Sequence, residues 1–292
     1  MRNYLATRLA MPLLAVLVLG STAQFANAQP AEVAVAEIGG HTHIHGLAVD
    51  RANGGALLIA AHHGLYRAGG DGKAQRISIV QDFMGFSPHP RDPLYFYASG
   101  HPAEGGNMGF IVSGDGGKTW KTSSYGADGP VDFHQMTVSR ANPQVIYGAY
   151  KTMQVSRDGG KNWNIAGKRP PKLIDIAASA RDADTVYAAT EGGLMVSRDG
   201  ANSFSPVFAG APVTLIEIAP SGEVFAFQIG KGLMKATEDT LQFEPLSTDW
   251  PNSYLLHLAI DPDDGNRIFA ATGESVVMRS TDGGKSWRKF GS

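Results

Sequence analysis

Imidazole, carboxylate and thioether side chains recur at short spacings in the first half of this chain. His41, His43 and His45 alternate in one segment, His62 and His63 are adjacent, and His101 sits in a Ser-Gly-His-Pro stretch. Two more segments, Asp82-Phe83-Met84 and Asp132-Phe133-His134, set a carboxylate two residues before a thioether or an imidazole. Side chains two apart share one side of an extended strand, so His43 and His45 act as a pair if their segment is extended. Neutral imidazoles bind Cu(II), Zn(II) and Ni(II), carboxylates broaden the choice, and a thioether from Met84 or Met136 tilts it toward copper. The expected ion is therefore copper first and zinc second, held by His43, His45, Met84, His134, His62, His63 and His101. Asp82 and Asp132 would orient the rings. His41 and Met136 would support them or touch a small ligand. Lone surface histidines are commonplace, so the expectation rests on the set being gathered in space.

A repeated turn supplies the means of gathering it. Ser113-Gly114-Asp115-Gly116-Gly117-Lys118-Thr119-Trp120 returns at 156–163 and 280–287, and in weaker form at 197–204. Its glycines permit the positive φ of a tight turn, and its Asp and Ser side chains can satisfy the turn's own N–H groups. Asp115, Asp158, Asp199 and Asp282 are thus read as structural, and Trp120, Trp163 and Trp287 as core. The motif is the Asp-box, and the chain resembles the Asp-box (BNR) repeat propellers, whose relatives include sialidases, sortilin-type receptors and photosystem assembly factors. In that family the box marks the fold and lies away from the ligand face.

A short apolar strand precedes each box unit, beginning at His43, Asp82, Asp132, Lys172, Thr214 and Tyr254. Those starts are 39, 50, 40, 42 and 40 residues apart. A period of about 40 residues with four strands per unit predicts an all-β, six-bladed propeller. The alternative is a seventh, incomplete blade built from Glu32–Ile38. The preferred role for Glu32–Ile38 is a strand beside Trp287–Gly291 that closes the ring. Loops leading into inner strands and loops joining second to third strands gather on one face, which collects seven of the nine histidines from three adjacent blades. His45, Met84 and His134 share a register that Ile174, Ile216 and Leu256 occupy in the other half.

One residue further on, Gln135, Asp175, Glu217 and His257 are predicted to line the central channel. Paired carboxylates there could serve glycoside hydrolysis. A sialidase would need three arginines for a sugar carboxylate and a Phe/Tyr-Arg-Ile-Pro stretch. The chain has no such stretch and no arginine at the start of an inner strand. It is more similar to exported bacterial Asp-box propellers nominally called glycosyl hydrolases, on His43–Leu47, Asp82–Phe86, Ser99–Pro102 and Asp132–His134. That resemblance implies one shared site and names no reaction. Binding is favoured over catalysis, the latter being a glycosidase or a metal-dependent hydrolase. A scaffold for a protein partner is the third reading.

Composition sets the remaining bounds. Arg2 and Arg8, the apolar run Leu9 to Gly20, and Ala26-Asn27-Ala28 before Gln29 read as a signal peptide over 1–28, leaving 29–292 as one propeller domain, periplasmic or secreted. The mature chain carries no apolar run long enough to span a membrane. A formal charge of −2 argues against nucleic acid as a partner. With no cysteine, stability comes from the core alone.

Overall fold

The computed structural model describes residues 31–292 apart from positions 103 and 251; the expected signal peptide lies outside these residues. They form six antiparallel sheets, each ordered from an inner to an outer strand along the chain. The inner strands are Ile44–Asp50, Met84–Pro88, Gln135–Val138, Leu173–Ala178, Val213–Ile218 and Leu255–Ile260. Neighbouring inner strands contact one another around the ring, and the strand of blade six meets that of blade one. This is a six-bladed propeller. The described residues contain no seventh sheet. No helix among them is long and apolar enough to cross a membrane.

Closure differs from the sequence expectation. Glu32–Ala34 is a strand, but it pairs with Lys73–Arg76 on the outside of blade one, while Arg288–Lys289 completes blade six alone. Val35–Gly40 then turns as a 3-10 helix and buries Val35 and Ile38 with Phe269, Val277 and Phe290 of blade six. The N-terminal segment therefore closes the ring by filling the seam with apolar side chains, without adding a strand to the last sheet. The Ile44 N–H donates to Ser275 Oγ at 3.1 Å across the same seam.

Each seam between blades is an apolar cluster. Between blades two and three, Phe110, Phe133 and Trp163 pack with ring centroids 4.8–5.3 Å apart. Burying such rings supplies much of the driving force, at roughly 25 cal/mol per Å² of apolar area. The box turns work as their residues suggest. Lys161 and Asn162 N–H donate to Asp158 Oδ1 at 3.1 and 2.9 Å, and Gly160 N–H donates to Ser156 Oγ at 2.8 Å. Bonds from the backbone and side chain of Asn162 hold the Asp158 carboxyl down at about 2. In blade five, where the box is degraded, Glu238 instead reaches blade four, accepting from Ser179 and from the Ala180 N–H.

Candidate metal centre on one face of the ring

The six inner strands surround a channel of about 440 Å³. On the face away from the box turns, the segments entering blades two and three are not yet strand at Asp82 and Asp132. Each carboxylate is consequently free of the sheet and reaches sideways. Asp82 and Asp132 are buried, at 8% and 6% side-chain exposure, while His62 and His134 on the rim are 56% and 53% exposed.

Two groups of three result. In the first, His45 Nε2 lies 3.6 Å from Asp82 Oδ1, and His62 Nδ1 lies 3.5 Å from Asp82 Oδ2. In the second, His134 Nε2 and His101 Nε2 converge on Asp132 Oδ2 at 2.6 and 3.0 Å. Within each group the candidate donor atoms all lie within 4.8 Å of one another. Donors around a tetrahedral ion at about 2.0–2.2 Å are roughly 3.3–3.6 Å apart, so both histidine-to-Asp82 separations in the first group match the spacing of ligands.

Unmet polar atoms mark both groups. His45 Nε2, Asp82 Oδ1 and Asp132 Oδ1 are buried without hydrogen-bond partners. A buried acceptor left bare costs about 1–3 kcal/mol, which makes such atoms uncommon. His101 adds a second signal. Its Nδ1 lies 2.7 Å from the Gly106 carbonyl, which can only accept, so Nδ1 carries the proton and Nε2 of the neutral ring faces Asp132 with a lone pair. A cation between them, or a second ring proton, resolves that contact.

Burial, reinforced by the surrounding histidines His257, His62, His134 and His43, pushes His45 down to about 3. It is therefore a neutral ligand-type imidazole across the ordinary pH range. Asp82 is pushed up by burial. His134 moves up because it donates to Asp132.

The other expected residues are placed as follows. His43 is exposed and its carbonyl accepts the His62 N–H at 3.1 Å, which positions the first group without contributing a donor to it. His63 stacks edge-on against His62 at 5.2 Å, and His41 is exposed beside it. Met84 is buried and lines the channel next to the groups. Met136 packs in the apolar seam between blades two and three. Asp82 and Asp132, expected behind the imidazoles, lie among the donor atoms themselves.

Lower in the channel, His257, Asp175 and Glu217 are displaced from their usual ranges by burial, His257 to about 4 and the two carboxyls to about 7. Gln135 lines the same channel. Asn107 was not singled out in the sequence. It donates to the Pro130 carbonyl at 3.0 Å and to Tyr150 Oη at 3.1 Å, pinning the loop that carries His101. The available signal was the 50-residue spacing between the second and third strand starts, against 39–42 elsewhere, which leaves a longer loop around Gly100 to Met108.

Residues 278–289 match the BNR/Asp-box repeat family. The chain is a six-bladed β-propeller that carries Asp-box turns. Solved structures similar to this propeller include a GH74 enzyme from Niastella koreensis, 14% identical, with a TM-score of 0.58 over 85% of this chain and 45% of that one. The GH74 xyloglucanase from Xanthomonas campestris is 19% identical, with a TM-score of 0.57 over 88% and 46%. A chain of the COPII outer coat vertex on membranes is 11% identical, with a TM-score of 0.59 over 85% and 74%. The propeller spans under half the length of the two GH74 chains, and at these identities the likeness is one of fold. No curated protein sequence matches it.

Proposed function

We propose that this propeller binds a divalent transition metal, Cu(II) or Zn(II), through the His/Asp groups of blades one to three. The observation that carries the reading is the convergence of bare, buried donor atoms: His45 Nε2 and Asp82 Oδ1 face each other unpaired, and two imidazoles crowd one oxygen of Asp132. Imidazole with carboxylate suits both ions. A preference for copper over zinc depends on a thioether ligand, for which Met84, buried on the channel wall, is the candidate. A periplasmic or secreted location would give the protein access to either ion. Elemental analysis after dialysis without chelator tests the reading. Wild type should retain copper or zinc, and a His45→Ala/His134→Ala variant should fall to background; equal content in the two would overturn it.

Glycoside hydrolysis has weaker support. Asp175 and Glu217 are raised as an acid catalyst would be, but both Asp175 oxygens already accept backbone N–H groups, from Ile176 at 2.8 Å and from Ile216 of the next blade at 3.0 Å. Glu217 pairs with Arg140 at 3.6 Å. These carboxylates tie the channel wall together. A scaffolding role for a protein partner is compatible with exposed Ile79, Val80, Tyr125 and Tyr254, which lie in loops between blades.

A further inference from the structure

We propose that the loaded site is a two-ion receptor for an oxyanion, a carboxylate or a phosphate, with Arg169 as its third positive element. The inference rests on the metal reading above and extends it to the class of ligand.

The two groups adjoin. The Asp82 N–H donates to the His101 carbonyl at 3.2 Å, so the anchor of the first group is bonded to the backbone of a member of the second. Gly100 makes this approach possible: at φ +127°, an added Cβ would lie 2.5 Å from the Asp82 carbonyl oxygen. The two ions would therefore sit in neighbouring sites across one backbone contact.

Ligand counting and charge then point the same way. Each group offers three protein donors, and a four-coordinate ion with three protein ligands keeps one position open. Two divalent ions bring four positive charges. Asp82 and Asp132 return two, the imidazoles are neutral, and neither group holds a second carboxylate. The site is left with two open positions and an excess of two positive charges, partly withdrawn from water. A neutral sugar hydroxyl would fill a position without offsetting the charge. An oxyanion does both, and spanning two ions is a recurrent way for such oxygens to bind.

Arg169 adds an independent observation. It lies in the connection between the outer strand Asn164–Gly167 of blade three and the inner strand of blade four, and among the described residues its guanidinium donates only to the carbonyls of Tyr150 at 3.3 Å and Leu173 at 3.4 Å. No ion pair among the described residues involves it, although its charge is felt at His134. A guanidinium carries five N–H donors, so most of its fork is free for a planar or tetrahedral oxyanion.

The test uses the mature chain loaded with Zn(II), desalted, and titrated calorimetrically with inorganic phosphate or with acetate. Metal-free protein and Arg169→Gln are titrated in parallel. The proposal expects two zinc ions per chain, anion binding only to the loaded protein, and about tenfold weaker anion binding in Arg169→Gln with its zinc content unchanged. Tighter phosphate assigns a phosphate ligand, and tighter acetate a carboxylate. One zinc per chain, two zinc ions without binding of either anion, equal binding to metal-free protein, or an unaltered Arg169→Gln would each overturn it while the metal reading stands. A chain that takes up no zinc or copper at all would overturn both.

Discussion

Blades one to three and blades four to six follow one strand plan and differ where the chain enters the inner strand. In blades four to six the position of His45, Met84 and His134 holds Ile174, Thr214 and Leu256, since the ladder of blade five sets Thr214 there in place of the expected Ile216, and its hydroxyl is used internally: Thr214 Oγ1 donates to the Leu255 carbonyl of the next blade at 2.6 Å. In blades two and three the strand begins later, at Met84 and Gln135, which releases Asp82 and Asp132 to meet histidines from neighbouring loops. The difference teaches that a propeller can confine chemistry to half a ring by delaying two strand starts. The core beneath both halves stays the same kind of apolar seam.

The sharpest way to break this comparison is to remove a polar side chain from the start of an inner strand in each half. Asp132→Ala should lower copper or zinc affinity about 100-fold or more, measured by competition with a chelating dye, because a ligand and the anchor of two imidazoles go together. Thr214→Ala in the other half should leave affinity unchanged. Stability gives the next largest effect. Phe133→Ala, in the seam behind the second group, should cost about 3–5 kcal/mol in chemical denaturation and also weaken metal binding, since Phe133 separates Asp132 from His134. Gly148→Ala probes the same seam from the other side. Blades two, four, five and six carry Ala98, Ala188, Ala226 and Ala270 at this place, yet here a Cβ would lie 2.6 Å from the Phe133 ring, and a loss of about 1–3 kcal/mol is expected.

A pH series sharpens the comparison from the channel side. Burial raises Glu217 to about 7, so the folded chain keeps a proton that the unfolded chain releases near its ordinary carboxyl range. Glu217 therefore contributes stability at acid pH that is lost as pH rises toward 7. His45 and His257, both lowered by burial, run the opposite way below about 6.5 and mask the trend in wild type. The stability of Glu217→Gln relative to wild type should thus rise between pH 5 and 8, by on the order of 1–2 kcal/mol. The smallest effect belongs to the box turns. Asp158→Ala should cost about 1 kcal/mol of stability and leave metal content untouched.

The sequence disclosed the repeat well because turn chemistry is local: Ser156 and Asp158 satisfy N–H groups within a few residues of themselves, and the strands between boxes follow. The gathering of His45, His62 and His101 with Asp82 and Asp132 could be read only by laying the repeats over one another. Three features escaped that reading. Glu32–Ala34 is too short to declare its partner, and its outward position on blade one is decided by the fit of Val35 and Ile38 into the closing seam. His43 was matched with His45 on the premise of an extended segment, but the strand begins at Ile44. Met136 falls in register near the donors, yet the seam around Phe133 and Trp163 takes up its side chain.

The most direct measurement of the central claim is anomalous diffraction at the absorption edge of the ion from crystals of copper- or zinc-loaded protein. The account predicts density between His45, His62 and Asp82 and between His101, Asp132 and His134. Peaks confined to other histidines, such as His89 on the opposite face, or loaded crystals with none at these two groups, would contradict it.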